Sequence, residues 1–197
     1  MGRLGFLATI NKQKIKEAFE VFHSGKYILD ERSLLQTSSN LPLFEDENFA
    51  LNEFTMYKRE ASSMITVHTY INDEFLNSYW ADGLIISTPT GSTGYSLSCG
   101  GPVIYPTSQN FVITPIAPHN LNVRPFVVDD NVTLKFNVET RLKDFQVSLD
   151  SRSLTVDTNY QLNVKKAPFS LKLIKMPDSS FLETLRTKLF WGADKRT

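Results

Sequence analysis

Surplus charge is the first thing this sequence lacks. Its 197 residues carry 21 Lys and Arg against 21 Asp and Glu, a formal net charge of zero. A protein that neutralises a phosphate backbone needs an excess of basic residues, so no nucleic-acid partner is expected. Cysteine is nearly absent: Cys99 stands alone and cannot form an internal disulfide. Three scattered histidines (His23, His68, His119) make no metal-ligand cluster, so no resident metal is expected. Apolar runs are only a few residues long, against the roughly 20 that a membrane-spanning helix needs, so no membrane partner is expected. Met1-Gly2-Arg3 leads straight into a mixed segment, and no leader is expected there. What the chain does hold is apolar surface. With 41% hydrophobic and 12% aromatic residues, disorder is excluded and a globular fold in a reducing, cytoplasmic setting is expected.

Helical periodicity is confined to the two ends. Ile15, Ala18, Phe19 and Phe22 fall at helical spacing, with Asn11 as cap and Gly25 as stop. Ser180-Phe181-Leu182-Glu183 reads as a capping box, Ser180 and Glu183 satisfying each other's orphan amides. Phe181, Leu182, Leu185 and Leu189 form the apolar stripe behind it, and Gly192 follows as a stop.

Between the helices the pattern changes to strand. Val132, Leu134, Phe136 and Val138 alternate with polar residues, as do Phe145, Val147 and Leu149. Asp150-Ser151-Arg152 reads as a turn into Leu154 and Val156. Leu162 with Val164, and Phe169 with Leu171 and Leu173, suggest two further strands. Upstream, 26–37, 49–57, 63–71, 74–80 and 83–88 are rich in Ile, Thr, Tyr and Phe. About ten short strands predict a mainly β fold, an antiparallel two-sheet sandwich-like domain with a short helix at each end. Such a sandwich fills its own faces, so the two helical stripes are expected to pack on a further α/β domain that this sequence lacks.

Residues 83–123 contain no Asp, Glu, Lys or Arg, where the 21% average would give about eight or nine. Gly83, Gly91, Gly94, Gly100 and Gly101 lie in the first half of this stretch, with Ser and Thr between them. Glycine lets a backbone approach a ligand closely, and hydroxyls supply compact donors and acceptors. The loop has no Gly-Lys-Ser/Thr ending, so it is not a P-loop, and a base or ribose suits it as well as a diphosphate. The same composition also fits a buried subunit contact.

Further positions stand out beside the Gly-rich stretch. Asn52-Glu53 interrupts an apolar strand: a carboxylate can clasp a ribose diol and an amide can read an adenine edge, while alternation alone assigns Glu53 to a wet face. Asp82 leads into the Gly-rich loop, either as a site residue or as a turn residue before Gly83. His119, between Pro118 and Asn120, reads as a solvated loop histidine rather than a base or ring stacker, and Cys99 as inert packing.

The run Asp82-Gly83-Leu-Ile-Ile-Ser-Thr-Pro-Thr-Gly-Ser-Thr-Gly-Tyr-Ser-Leu-Ser-Cys-Gly-Gly-Pro102 resembles the glycine-rich signature of NAD kinases. Asn52-Glu53 matches the family's Asn-Glu motif, Gly2-Arg-Leu-Gly-Phe-Leu7 is similar to the segment after its first glycine-rich motif, and Lys188-Leu-Phe-Trp-Gly192 is similar to its C-terminal end. The resemblance implies transfer of a phosphoryl group from ATP or polyphosphate, with Mg²⁺, to the 2′-hydroxyl of the adenosine ribose of NAD, giving NADP. It implies adenine contacts from Asn52 and Thr93, and a ribose contact from Glu53. Thr90, Gly94, Tyr95, Ser96, Leu97 and Ser98 would line the same pocket. Asp82 and Ala117 would face the nicotinamide half across a subunit boundary, since the family works as homo-oligomers. Arg152 stands where the family's Asp-Ser/Gly-Gln turn carries Gln, and a cation there would attract a phosphate.

The family's Gly-Gly-Asp-Gly-Thr motif, whose Asp handles the attacking hydroxyl, does not occur in these 197 residues. No catalytic residue is therefore expected in the chain, and little turnover from it alone. The resemblance divides the chain into 1–25, a remnant of an N-terminal α/β domain; 26–177, the β-rich NAD-binding domain; and 178–197, a helix returning to the N-terminal domain. Two other functions fit the residues: a catalytically silent NAD(P)-binding module, and a lipid kinase of the same broad superfamily or an unrelated glycan-binding sandwich.

Overall fold

Apolar–polar alternation sets the architecture, which a computed structural model describes for residues 6, 7, 10 and 12–192. Gly2 to Gly5 of the N-terminal motif and the expected cap Asn11 lie outside the described residues. The strands are β1 (Ile28–Ser39), β2 (Phe49–Ala50), β3 (Glu53–Tyr57), β4 (Ile65–Ile71), β5 (Glu74–Ala81) and β6 (Gly83–Ser87). They continue with β7 (Asn110–Ile116), β8 (Phe126–Asp129), β9 (Leu134–Thr140), β10 (Asp144–Leu149), β11 (Arg152–Asp157) and β12 (Gln161–Lys175). Three helices accompany them: α1 (Ile15–His23), α2 (Tyr95–Ser98) and α3 (Phe181–Leu189).

The strands form two six-stranded sheets, in the orders β2-β1-β12-β9-β4-β5 and β11-β10-β3-β6-β7-β8. The inward residues are those the alternation marks. Val67 pairs with Val138 and Ile71 with Leu134 in the first sheet. Met56 pairs with Val147 and Phe54 with Leu149 in the second. Side chains of both sheets meet in one core that includes Leu35, Val67, Phe136, Phe54, Met56, Ile86 and Phe145. Each such side chain gains about 1.5–3 kcal/mol by leaving water, and this burial is what holds the sheets face to face. The expected antiparallel sandwich is the observed fold.

Several details differ from expectation. The stretch 49–57 is not one strand: it divides at Leu51-Asn52 into β2, in the first sheet, and β3, in the second. β7 and β8 form within the stretch 110–129, where no strand was expected. The apolar positions 162–173 form one 15-residue strand rather than two. Pro168 does not break it, and Phe169 and Leu171 remain exposed. At the end of α3 the chain turns at Phe190, which takes the left-handed conformation with φ 52°, two residues before Gly192. One half of the expected capping box is in place at the start of that helix: the Ser180 hydroxyl accepts from the Glu183 amide at 3.5 Å.

By proximity along the chain's fold two units separate, Met1–Glu31 with Lys172–Thr197, and Arg32–Leu171. In the smaller unit, Ile15, Phe19 and Phe22 of α1 and Leu182 of α3 stay exposed. The larger unit holds the sandwich and the features that follow.

Candidate nucleotide site

β6 is buried along its whole length. One face, through Leu84 and Ile86, enters the core. The other face carries Gly83, Ile85 and Ser87, paired with Tyr57, Thr55 and Glu53 on β3. The uncharged loop after β6 covers this second face. Thr88 begins it, its amide donating to the Asn52 carbonyl at 2.9 Å and its hydroxyl to the Leu51 carbonyl at 2.6 Å. A short 3-10 turn, Gly91–Thr93, leads into the single turn of α2. The buried Ser96 hydroxyl pairs with that of Thr114 on β7 at 2.8 Å, fastening the loop to the sheet.

The loop and the Asn-Glu pair are therefore in direct contact. A Cβ on Gly94 would lie 3.2 Å from Glu53 Oε2. That oxygen is buried without a hydrogen-bond partner, and so is the hydroxyl of Ser87 directly across from it. Burial first, and then the charge of Asp150, pushes the Glu53 carboxyl up to about 7. The wet-face reading of Glu53 is thus overturned: alternation correctly puts it opposite the core, but the Gly-rich loop covers that face.

Asp82 and Ala117 mark the opposite end of β6. The Asp82 amide donates to the Ile116 carbonyl at 3.0 Å, and its carboxylate meets Lys58 Nζ at 2.7 Å. Ala117, the next residue, is exposed with φ 44°. Along the strand this end lies about 13 Å from Glu53, at about 3.3 Å per residue. Gly94 and Tyr95 bridge the gap. Tyr95 is exposed, yet burial of part of its ring, followed by Cys99, Tyr57 and Asp82, pushes its phenol up. The site thus offers one carboxyl, a row of hydroxyls and an aromatic ring. Its two cations are engaged: Lys58 by Asp82, and the buried Arg32 through Nη1 to the Thr90 hydroxyl at 3.2 Å. This chemistry suits a hydroxyl-rich, uncharged ligand portion such as a nucleoside more than a phosphate.

Comparison with known proteins decides the family. Residues 51–176 match the ATP-NAD kinase C-terminal domain. Over 195 residues the chain is 55% identical to the NAD kinase of Cytophaga hutchinsonii, covering 99% of this chain and 67% of that protein. The NAD kinase of Flavobacterium psychrophilum is 52% identical over 197 residues, with the same two shares. The chain belongs to the NAD kinase family. Two solved structures share its fold. Yeast NADH kinase complexed with NADH aligns with TM-score 0.89 at 21% identity, over 100% of this chain and 60% of that one. The NAD kinase of Archaeoglobus fulgidus in complex with ATP aligns with TM-score 0.82 at 25% identity, over 96% of this chain and 71% of that one. The chain thus spans about two thirds of its curated relatives and less of the yeast kinase.

Set against the family's motif, the structure brings Gly94 to Glu53, Gly91 of the same loop to Asn52, and Ser96 to Thr114 of the second sheet, with Thr90, Thr93, Tyr95, Leu97 and Ser98 on that same loop and turn. Within that group Ser96 is fully buried and bonded to Thr114, so its hydroxyl holds the loop, whereas Ser98 is exposed. The amides of Gly91, Ser92 and Gly94 are engaged inside the loop by Thr88 and Gly91. Arg152 is turned elsewhere. Its guanidinium donates to the Glu47 and Phe49 carbonyls and lies 5.8 Å from the Phe49 ring centre. His119 is exposed, as expected, but its ring lies 4.8 Å from that of Trp80. Burial raises the Cys99 thiol, in keeping with inert packing.

Asp150, Ser87 and Tyr57 belong to this neighbourhood and were not expected in it. Asp150 carried a signal as the first residue of a tight turn, and Ser87 as a member of the Gly-rich run; Tyr57 reads as an ordinary strand residue. Among the described residues no three His, Cys, Asp or Glu side chains converge as a metal cage. Nor is any helix among them long and apolar enough to cross a membrane.

Proposed function

We propose that this chain carries the NAD-gripping part of an NAD kinase, which phosphorylates the adenosine ribose 2′-hydroxyl and yields NADP. One observation carries the reading: Glu53 presents a buried, unpartnered carboxyl oxygen towards Gly94 of the Gly-rich loop. A carboxylate there accepts from both hydroxyls of a ribose, which a neutral side chain does less well. Asn52 and Thr93 meet the adenine, and Thr90, Gly94, Tyr95, Ser96, Leu97 and Ser98 shape the wall around it. Asp82 and Ala117, at the far end of β6, face the nicotinamide half, with a second copy of the chain completing the site in a homo-oligomer. The donor is ATP carrying Mg²⁺, whose charge offsets that of the phosphates, and the reaction takes place in the cytoplasm.

No residue of this chain is assigned the proton transfer, so binding is the quantity to measure. Calorimetry with NAD tests it. Glu53→Gln is expected to weaken NAD binding by roughly 1–3 kcal/mol at pH 8, with the fold intact. Unchanged affinity would overturn the assignment, and no binding by the wild-type chain would overturn the function. Relatives curated as kinases favour this reading over a catalytically silent NAD(P)-binding module.

A further inference from the structure

The carboxylate of Asp150 takes three consecutive main-chain amides. Oδ2 accepts from Leu51 N at 2.9 Å, and Oδ1 accepts from Asn52 N at 2.8 Å and Glu53 N at 3.2 Å. The Asp150 amide donates back to the Glu53 carbonyl at 3.0 Å. Asp150 reaches this position because it opens the two-residue turn between β10 and β11 with φ 52°, a conformation that Asp tolerates better than most residues. On the other side of the same segment, the carbonyls of Leu51 and Asn52 are taken by Thr88. Residues 51–53 are thus held through their amides by one side chain, and Leu51 and Asn52 also through their carbonyls by the start of the Gly-rich loop.

We propose that Asp150 is a positioning residue for the dinucleotide site: it clamps the Leu51-Asn52-Glu53 backbone so that the Asn52 and Glu53 side chains are presented to the Gly-rich loop. The inference rests on the NAD-binding reading above and adds a residue to it. Rotation of the segment, which would swing both side chains away, breaks three charge-assisted hydrogen bonds at once. The clamp has a second effect, because its charge sits beside Glu53. β6 contributes the neutral Ser87 on this side, the Gly-rich loop contributes no charge, Arg32 of β1 bonds Thr90, and Lys58 and Asp82 pair with each other. Arg152 is occupied by Glu47 and Phe49. Asp150 is therefore the charged neighbour that opposes ionisation of Glu53.

Asp150→Asn and Asp150→Gly separate these effects from simple unfolding, since Asn and Gly both accept a positive φ. NAD affinity of the full chain is measured at pH 6 and pH 8, and the Glu53 carboxyl is titrated by carbon-13 NMR. The Asn variant is expected to bind NAD about tenfold more weakly at pH 8, to lose less at pH 6, and to titrate Glu53 at lower pH. The Gly variant, without any acceptor, is expected to bind more weakly still at pH 8. Wild-type affinity in both variants would overturn the proposal. So would an equal loss at both pH values with the Glu53 midpoint unmoved, the mark of a merely structural role. If the wild-type chain bound no NAD, the functional reading would fall, while the Glu53 midpoint would still report whether Asp150 holds that carboxyl.

Discussion

Gly91 rests on Asn52 backbone to backbone: a Cβ on Gly91 would lie 2.1 Å from the Asn52 carbonyl oxygen and 2.5 Å from its carbonyl carbon. Neither atom belongs to a flexible side chain, so the chain must shift to admit a methyl group. Gly91→Ala is expected to destabilise the larger unit by about 2–4 kcal/mol in urea unfolding and to abolish NAD binding. Gly100 supplies the contrast, with φ 83° and open space around it. Gly100→Ala should cost only about 1–2 kcal/mol, as conformational strain, and leave binding measurable.

Glu53 makes stability depend on pH in a definite direction. Its carboxyl titrates near 7 in the folded chain, above its unfolded value, so the stabilisation from holding the proton is full at acid pH. That stabilisation is lost as pH rises through about 7. Glu53→Gln removes the buried charge and is expected to be more stable than wild type at pH 8 by about 1–2 kcal/mol, a figure reduced for the water that reaches the carboxyl. At pH 4 the two proteins should melt together. NAD binding moves the opposite way, wild type gripping best above pH 7 because the diol needs the carboxylate.

The Ser96–Thr114 hydroxyl pair offers a double-mutant cycle. Both residues are fully buried, and neither can turn to water if the other is removed. Ser96→Ala is expected to cost about 1–3 kcal/mol by leaving Thr114 unpaired. Adding Thr114→Val should recover part of that loss, since both partners are then apolar. Strict additivity of the two losses would show that the hydroxyls do not depend on each other.

Cys99 should react slowly. Burial pushes its thiol up, so little thiolate exists at neutral pH. Alkylation by iodoacetamide is expected to run slower than for a free cysteine at pH 7.5 and to speed up steadily as the pH is raised. Rapid labelling at pH 7.5 would contradict the reading of Cys99 as packing.

Much of the sandwich was legible in the sequence because one periodicity governs it. Leu134, Phe136 and Val138 announce both the strand and its buried face, and their partners on β4 do the same. The long β12 was not legible as one element. Pro168 and the exposed Phe169 break the pattern, although an extended chain continues through them. Glu53 shows a different boundary. Alternation tells which side of a sheet a residue faces, but not that a loop beginning more than thirty residues later lies over that side. The Asp150 clamp is less legible still, since its three bonds join residues 97 to 99 positions apart. Local spacing carries no trace of such a partner. The motif resemblance led to Arg152 in that turn, whereas the structure directs the neighbouring Asp150 to the Asn-Glu pair.

That separation along the chain has a consequence during synthesis. A ribosome delivers Leu51, Asn52 and Glu53 early, and the carboxylate that fastens their amides only after nearly a hundred more residues have emerged. In the nascent protein the Asn-Glu pair can meet Thr88 first, and its amides gain their partner only when the β10–β11 hairpin docks. The conformation of residues 51–53 is therefore completed only once the β10–β11 hairpin has formed.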